Sequence, residues 1–372
     1  MRVAIVHDDL TQRGGAERVV LSLARLFPDA PVFTAVYDPD ATYPEFRDLD
    51  VRTTFLQRAP KRNRRALLPL YPAAVRTIDV RGHDLVISST SRFAHGVRTP
   101  GAFHLSYCYN PPRFIYQADE YFRDGAPVRT WGRAPLVPVL AALRRWDQRA
   151  AQRPDVYVGI SNTVAARIQA NYGRAARVVH PPLDLTRFGT IDDEPTEGSA
   201  YYLVMSRLLP YKRVDLAIDA CEALERRLIV VGSGPAEMLL RARAGSHVEF
   251  RSALSEAELT GLLAGATALI QPGLEDFGFA PLEANAAGTP AIAYAAGGAL
   301  ETVVNGTTGI HVSEQSVDAL VSAMARCEKT PWDRASLRTH AAAFGEERFH
   351  AEMLDVLKDA GYASVDKSAS TA

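Results

Sequence analysis

Short runs of β-branched and aliphatic residues recur along the chain, and each is followed by a loop and a helical pattern. Val3–His7 is the first, leading into a loop over Asp8–Gly15 and a helix from about Ala16 to Leu26. Val32–Tyr37, Val51–Leu56, Leu85–Ser89, His104–Tyr109, Val156–Ser161 and Val178–His180 repeat the strand signal, with helices expected over Pro135–Arg153 and Thr163–Tyr172. These runs are apolar throughout rather than alternating, as parallel strands covered on both faces should be. Strand–helix alternation of this kind predicts a doubly wound α/β layer.

The pattern lapses once, over Thr186–Ala200, an acidic stretch bearing Pro, Gly and Ser without periodicity. It then restarts. Tyr201–Met205, Leu228–Val231, Val248–Phe250, Ala268–Gln271, Ala291–Tyr294 and Gly309–Val312 read as strands, and Val214–Glu225 as a helix. The lapse has the composition of a domain linker. A chain of 372 residues is long enough for two such units. The expected architecture is therefore α/β, with two Rossmann-like units and a cleft between them, over residues 1–187 and 188–345. Glu346–Ala360 reads as a further amphipathic segment, and 363–372 as a disordered tail. Ligands in such sheets sit at the carboxyl ends of the strands, so the residues after each strand carry the functional reading.

Charge divides with the pattern. Residues 1–189 carry 27 Lys/Arg against 17 Asp/Glu, and residues 190–372 carry 15 against 26, although the whole chain nets only −1. A basic first half and an acidic second half point to two units with different partners. Of the 42 basic residues, 37 are Arg, so each of the five lysines stands out. The three cysteines are odd in number and widely spaced, which argues against structural zinc and a disulfide framework. The first residues enter a strand pattern at once, without a basic region before a long apolar one, so no signal peptide is expected. The longest uncharged stretch, residues 284–300, is broken by Gly288, Pro290, Gly297 and Gly298 and does not read as a membrane span. The default compartment is cytoplasmic.

The richest constellation is Pro272-Gly-Leu-Glu275-Asp-Phe277-Gly278-Phe279-Ala-Pro-Leu282-Glu283-Ala284. Glu275 closes a strand, and Glu283 falls one to two turns inside the next helix. The turn at Gly278 leaves backbone N–H groups at a helix N-terminus, where a phosphate can be held. A neighbouring carboxylate can accept hydrogen bonds from sugar hydroxyls. A solvated acidic helix start is the competing reading, since such residues also suit the helix dipole.

This segment resembles the E-x7-E signature of the retaining family-4 glycosyltransferases, which have the GT-B fold. The resemblance extends along the chain in order. Ser206-Arg207-Leu-Leu-Pro-Tyr-Lys212 looks like the family's S-R-x-x-x-x-K segment, and Gly232-Ser-Gly-Pro235 like its G-x-G-P turn. Residues 284–293 and Gly297-Gly298-Ala-Leu-Glu301 resemble the stretch after E-x7-E, and Gly14-Gly15-Ala16-Glu17 resembles the loop after the first strand. The resemblance implies that Arg207 and Lys212 hold the donor diphosphate, as cations suited to a leaving group whose charge grows in the transition state. It implies that Glu283 binds the nucleotide ribose and Glu275 the donor sugar, with Leu282 alongside. Backbone around Phe277, Gly278 and Phe279 is expected to reach the phosphate, and Gly14, Gly15 and Gly232 to let backbone approach the donor. Base contacts are expected near Arg251–Leu254. Segment 346–362 is expected to cross back onto the first unit. The implied reaction moves a hexose from a nucleotide diphosphate sugar to a hydroxyl acceptor, with retention, without metal or other cofactor. The similarity is greatest to polysaccharide mannosyltransferases, so GDP-mannose is the first donor expected and a UDP-sugar such as UDP-glucose the next.

One position departs from that subgroup. Its usual Y-C-H-T-P-x-R reads Tyr107-Cys-Tyr109-Asn-Pro-Pro-Arg113 here, so Tyr109 stands where the family places an active-site His. A phenol donates a hydrogen bond but carries no positive charge at neutral pH. This substitution leaves room for a lapsed enzyme acting as a partner or scaffold. His95 could enter a cleft, although a lone His is more often structural. Val179-His-Pro-Pro-Leu-Asp184…Phe188 matches the subgroup again and reads as hinge geometry. The basic segment over residues 58–76 mixes cations with apolar groups, a composition suited to an anionic membrane surface and to a glycan or lipid-linked acceptor presented there. A solvated basic helix competes with it, and no nucleic-acid-binding motif accompanies the charge.

Overall fold

A computed structural model describes residues 1–59, 67–117, 136–189 and 200–362. Most of the expected linker, the centre of the basic segment and the expected tail lie outside the described residues. The described residues divide into two compact units, one holding 1–59, 67–117, 136–182 and 346–362, the other 183–189 and 200–345.

In the first unit, every apolar run forms a strand. These are β1 (Val3–His7), β2 (Val32–Thr34), β3 (Val51–Thr53), β4 (Leu85–Thr90), β5 (Phe103–Cys108), β6 (Val156–Gly159) and β7 (Ala176–Val178). They pair in parallel in the order β3-β2-β1-β4-β5-β6-β7. Ile5 lies between Val32 and Ile87 in register, and Ile5, Val32, Ile87, Leu105 and Val158 are all fully buried. Successive residues of β1, β4 and β5 are buried, so both faces of these strands are covered and need no polar side, which is why the runs do not alternate.

Several strands end earlier than their apolar runs. Beyond Thr34, Ala35 N–H donates to Asp8 O (3.1 Å) and Leu10 N–H to Val36 O (2.9 Å), so the chain bends onto the loop after β1. Beyond Thr53, the Thr54 hydroxyl accepts from Leu56 N–H (3.2 Å) and caps a 3-10 turn over Phe55–Arg58. The strand expected at Val178–His180 runs from Ala176 to Val178 and ends ahead of Pro181-Pro182, which have no N–H for a ladder. The helix Asn162–Tyr172 starts at Ser161, whose hydroxyl accepts from Val164 N–H (3.2 Å), and ends at Gly173 with φ 67°.

The last helix, Glu346–Asp359, belongs to this first unit. Phe349 packs edge-on against Tyr107, with ring centroids 5.6 Å apart. His350 Nε2 meets the Ser22 hydroxyl at 2.9 Å, and Arg348 donates to His180 O at 2.9 Å.

In the second unit, β8 (Tyr201–Met205), β9 (Arg227–Val231), β10 (Val248–Arg251), β11 (Ala268–Gln271), β12 (Ala291–Tyr294) and β13 (Gly309–Val312) form a parallel sheet. Its order is β10-β9-β8-β11-β12-β13, the Rossmann order. Its helices are Val214–Ala223, Glu237–Arg243, Glu256–Gly265, Phe279–Ala286, the single turn Ala299–Thr302, Val317–Lys329 and Arg334–Ala342. Val204, Val230, Ile270, Ile292 and Ile310 join Ile218, Leu320 and Met324 in one core. This unit begins at Leu183, ahead of the expected boundary, because the turn Thr186–Phe188 packs into it with Phe188 buried.

Strand order reverses between β1 and β4 in one sheet and between β8 and β11 in the other. At such a point the loops leaving two adjacent strands diverge and open a crevice at their carboxyl ends.

Candidate functional site

In the second unit, Arg207 follows β8 with its side chain exposed. The chain then makes a 3-10 turn over Pro210–Lys212 and enters the helix Val214–Ala223 through Arg213, a non-glycine residue at φ 52°. Lys212 Nζ pairs with Glu275 Oε1, from the loop after β11, with both side chains mostly buried. One cation and one carboxylate thus meet at the strand-order reversal. The pair forms because the two loops touch. A Cβ on Gly273 would lie 2.6 Å from Lys212 Cα, so only glycine allows this approach.

The Glu275 loop is held from its other side as well. Gly298 N–H donates to Glu275 O (2.9 Å), and Glu275 bridges to Gly297. A Cβ on Gly298 would fall 2.0 Å from Phe277 O, which explains the paired glycines after β12. Gly278, at φ 103°, opens the helix Phe279–Ala286. Phe277 and Leu282 are buried, with the Phe277 ring edge-on to Phe279 and tilted against Phe344, so their side chains are packed inside and their backbone is what can face a ligand. Gly232, at φ 144°, passes Ser206 so closely that a Cβ would lie 1.9 Å from its carbonyl oxygen. Arg251 ends β10 paired with Glu249 (2.6 Å), and Leu254 is half-buried beyond it.

Glu283 has a partner that no sequence motif announces. Arg187 Nη1 donates to Glu283 Oε1 at 2.8 Å. Arg187 lies inside the Val179…Phe188 match, a signal that something there is needed, but its distant partner is invisible along the chain.

In the first unit, the loop after β1 carries a buried acidic group of residues. Asp8 accepts backbone N–H bonds from Ser91, Arg92, Phe93 and Ala94, at 2.6 to 2.9 Å. It thereby caps the loop leaving β4. Asp9 accepts from the Tyr71 hydroxyl (2.9 Å) and pairs with Arg92, and burial pushes its carboxyl up to about 6. Gly14 is the N-cap of the helix Gly15–Leu26. A Cβ at Gly14 would sit 2.7 Å from Glu17 Oε2, so the glycine makes room for that buried carboxyl. Burial raises Glu17 to about 7.

Tyr109 is buried, and its hydroxyl lies 2.8 Å from the Ser89 hydroxyl and donates to Ala16 O at 3.0 Å. Ser89 is in turn met by His7 Nδ1 at 3.0 Å. The phenol therefore braces the Gly14-Gly15-Ala16 loop from beneath. His95 pairs with Asp147 (3.1 Å), and both are fully buried. Tyr116 donates to the same carboxylate (2.8 Å), so His95 is a core residue beside a buried carboxylate rather than an open cleft residue. His104 is also buried, against the Ser88 hydroxyl at 2.8 Å.

Among the described residues, no group of three or more His, Cys, Asp or Glu could hold a metal ion, and no helix is long and apolar enough to cross a membrane. Of the basic 58–76 segment, residues 60–66 lie outside the described residues. Leu70, within the segment, and Phe55, just before it, are exposed.

Two family models divide the chain between them: Glycosyltransferase Family 4 matches residues 13–187, and Glycosyl transferases group 1 matches residues 191–344. The chain belongs to the family-4 glycosyltransferases. Its fold is GT-B. This glycosyltransferase-family chain is similar to a GDP-mannose-dependent alpha-(1-6)-phosphatidylinositol monomannoside mannosyltransferase of Mycolicibacterium smegmatis, 31% identical over 52% of this chain and 56% of the relative. A glycogen synthase of Mycobacterium tuberculosis is 34% identical over 40% of this chain and 38% of the relative. The chain spans about half the length of the mannosyltransferases it matches. Among solved structures, Anabaena Alr3699/HepE in complex with UDP-glucose superposes with a TM-score of 0.74 at 16% identity, over 96% of this chain and 100% of that one. WaaG, a glycosyltransferase involved in lipopolysaccharide biosynthesis, gives 0.65 at 18% identity, over 95% of this chain and 99% of that one.

Proposed function

We propose that the protein is a retaining, metal-independent glycosyltransferase that moves a hexose from a nucleotide diphosphate sugar to a hydroxyl acceptor. The observation that carries this reading is the Lys212–Glu275 pair at the β8/β11 reversal, with Glu283 on the helix that follows. Lys212 presents a compact positive charge that a diphosphate can share with Glu275. Arg207, exposed beside it, supplies a second cation. Together they stabilise the charge that grows on the leaving phosphate as the glycosidic bond breaks. Glu275 accepts hydrogen bonds from the sugar hydroxyls, and Glu283 from the ribose. Backbone N–H groups at the start of the helix Phe279–Ala286 add the helix-terminal dipole. The leaving phosphate takes the acceptor's proton in a front-face attack through an oxocarbenium-like transition state.

Tyr109, committed to Ala16 and Ser89, acts in this reading on the glycine loop. The relatives named for GDP-mannose favour that donor, and the UDP-glucose complex of a protein with the same fold keeps a UDP-sugar as the second candidate. The basic first unit takes the acceptor, a glycan or a lipid-linked sugar, at an anionic membrane surface.

A panel of GDP-, UDP-, ADP- and dTDP-sugars, assayed for transfer and donor hydrolysis, tests the reading. Turnover of GDP-mannose above all others is expected, with the anomeric configuration of the donor kept in the product. Absence of binding to any nucleotide would overturn the enzymatic reading in favour of a scaffold. An inverted linkage would overturn retention.

A further inference from the structure

Arg187 stands in the turn Thr186–Phe188, at the start of the second unit. Its side chain is only 8% exposed, and its guanidinium lies between two carboxylates. Nη1 donates to Glu283 Oε1 at 2.8 Å, and Nε pairs with Glu256. Its face also lies over the Phe188 ring, 5.4 Å from the centroid. Glu256 comes from the start of the helix Glu256–Gly265, and Glu283 from the helix Phe279–Ala286. One planar cation thus joins three separate pieces of chain, held by two carboxylates and the Phe188 ring.

This arrangement has a consequence for Glu283. A glutamate on a helix can swing its carboxylate through several rotamers. A ligand that meets it with two hydroxyls needs one orientation, and unrestrained rotation weakens that recognition. The Arg187 bond engages Oε1, while a carboxylate has about four lone-pair sites, so acceptor capacity remains for hydroxyl donors. The fixed fork of a guanidinium suits this orienting task better than a flexible ammonium.

We propose that Arg187 is a positioning residue that orients Glu283 for the ribose hydroxyls of the nucleotide, and so sets the preference of the site for ribonucleoside over dideoxyribonucleoside diphosphates. This rests on Glu283 being the ribose ligand. Glu256 serves as the second anchor that keeps Arg187 in place.

Isothermal titration of the full chain tests it, with GDP and UDP, their 2′,3′-dideoxy counterparts, and inorganic pyrophosphate as ligands. The proteins compared are wild type, Arg187→Ala, Arg187→Lys and Glu283→Gln. Wild type should prefer the ribonucleotide by about tenfold or more, the size expected for hydroxyl hydrogen bonds to a carboxylate. Arg187→Ala should lose most of that ratio while its pyrophosphate affinity stays within about twofold, a change of less than about half a kcal/mol. Arg187→Lys should fall between the two. If Arg187→Ala keeps the wild-type ratio, the proposal is overturned while the ribose role of Glu283 stands. If its pyrophosphate affinity falls in parallel, the role is merely structural and the proposal is again overturned. If wild type shows no preference, or Glu283→Gln does not reduce it, the ribose assignment fails first and takes the proposal with it.

Discussion

At the scale of single residues, burial and contact decide what each charge can do. Glu17 lies almost wholly buried against Gly14, and folding lifts its carboxyl from 4.5 to about 7. The folded state therefore holds the proton more tightly than the unfolded one. The stability this provides is complete below pH 4.5 and is lost as the pH rises through about 7. The loss is on the order of 3 kcal/mol, at about 1.4 kcal/mol per unit. Glu17→Gln should flatten the fall in melting temperature across that window, and parallel slopes in the two proteins would refute the assignment. Lys212 illustrates a different case, a charge paired with Glu275 that the proposed function assigns to the donor diphosphate. Lys212→Ala should lower kcat/KM by about a hundredfold, in line with the loss of one charge-stabilising donor. Its melting temperature should fall as well, since removing the cation leaves the mostly buried Glu275 carboxylate without that partner, so kcat/KM is compared below the variant's unfolding transition. A full-activity variant would remove Lys212 from the diphosphate site. Lys212 drew attention in the sequence because lysine is scarce and because Ser206–Lys212 resembles the family's S-R-x-x-x-x-K segment, while its pairing with Glu275 appears only in the fold. Arg187 was not, because its partners Glu256 and Glu283 are far along the chain and only folding brings them to it.

At the scale of elements, the loops between strands and helices carry the site, and glycines set how closely those loops approach. Gly273→Ala would drive a methyl group into the Lys212 backbone. It should cost about 1–3 kcal/mol, as overpacking does, and raise KM for the donor by displacing the Lys212–Glu275 pair. Gly261 is the contrasting case. It lies exposed inside the helix Glu256–Gly265, where an added methyl group would meet nothing within 4 Å. Gly261→Ala should stabilise the protein by about 0.5–1 kcal/mol and leave donor KM unchanged. Denaturant titration beside donor kinetics reads both. Strand positions were legible because both-face burial demands unbroken apolar runs. Their ends were not, because β2 stops where Ala35 and Val36 turn to the loop after β1 and β3 stops where Thr54 caps a turn.

At the scale of the whole molecule, two units with separate cores should answer a ligand unequally. The second unit holds Lys212, Glu275 and Glu283, so a nucleotide that binds them stabilises that unit by mass action. Calorimetry should resolve two transitions, and GDP should raise one of them while leaving the other in place. A single transition that shifts as a whole would show the units unfolding as one. The charge division follows the two halves of the sequence, with 27 Lys/Arg against 17 Asp/Glu over residues 1–189 and 15 against 26 over residues 190–372. In the proposed reading the acidic half holds the diphosphate through a few local cations, and the positive excess of the other half is what an acceptor or the surface presenting it would meet.

The order of apolar runs and glycine loops determined by itself that this chain makes two parallel α/β units with glycine-bearing loops after the strands. That much follows from local periodicity and turn chemistry, which act over a few residues. The tertiary structure alone decided that Tyr109 braces the glycine loop, that His95 is paired inside the core, and that Arg187 grips Glu283. Each depends on a partner many positions away, and hydrogen bonds between such partners exist only after the sheets have brought them together.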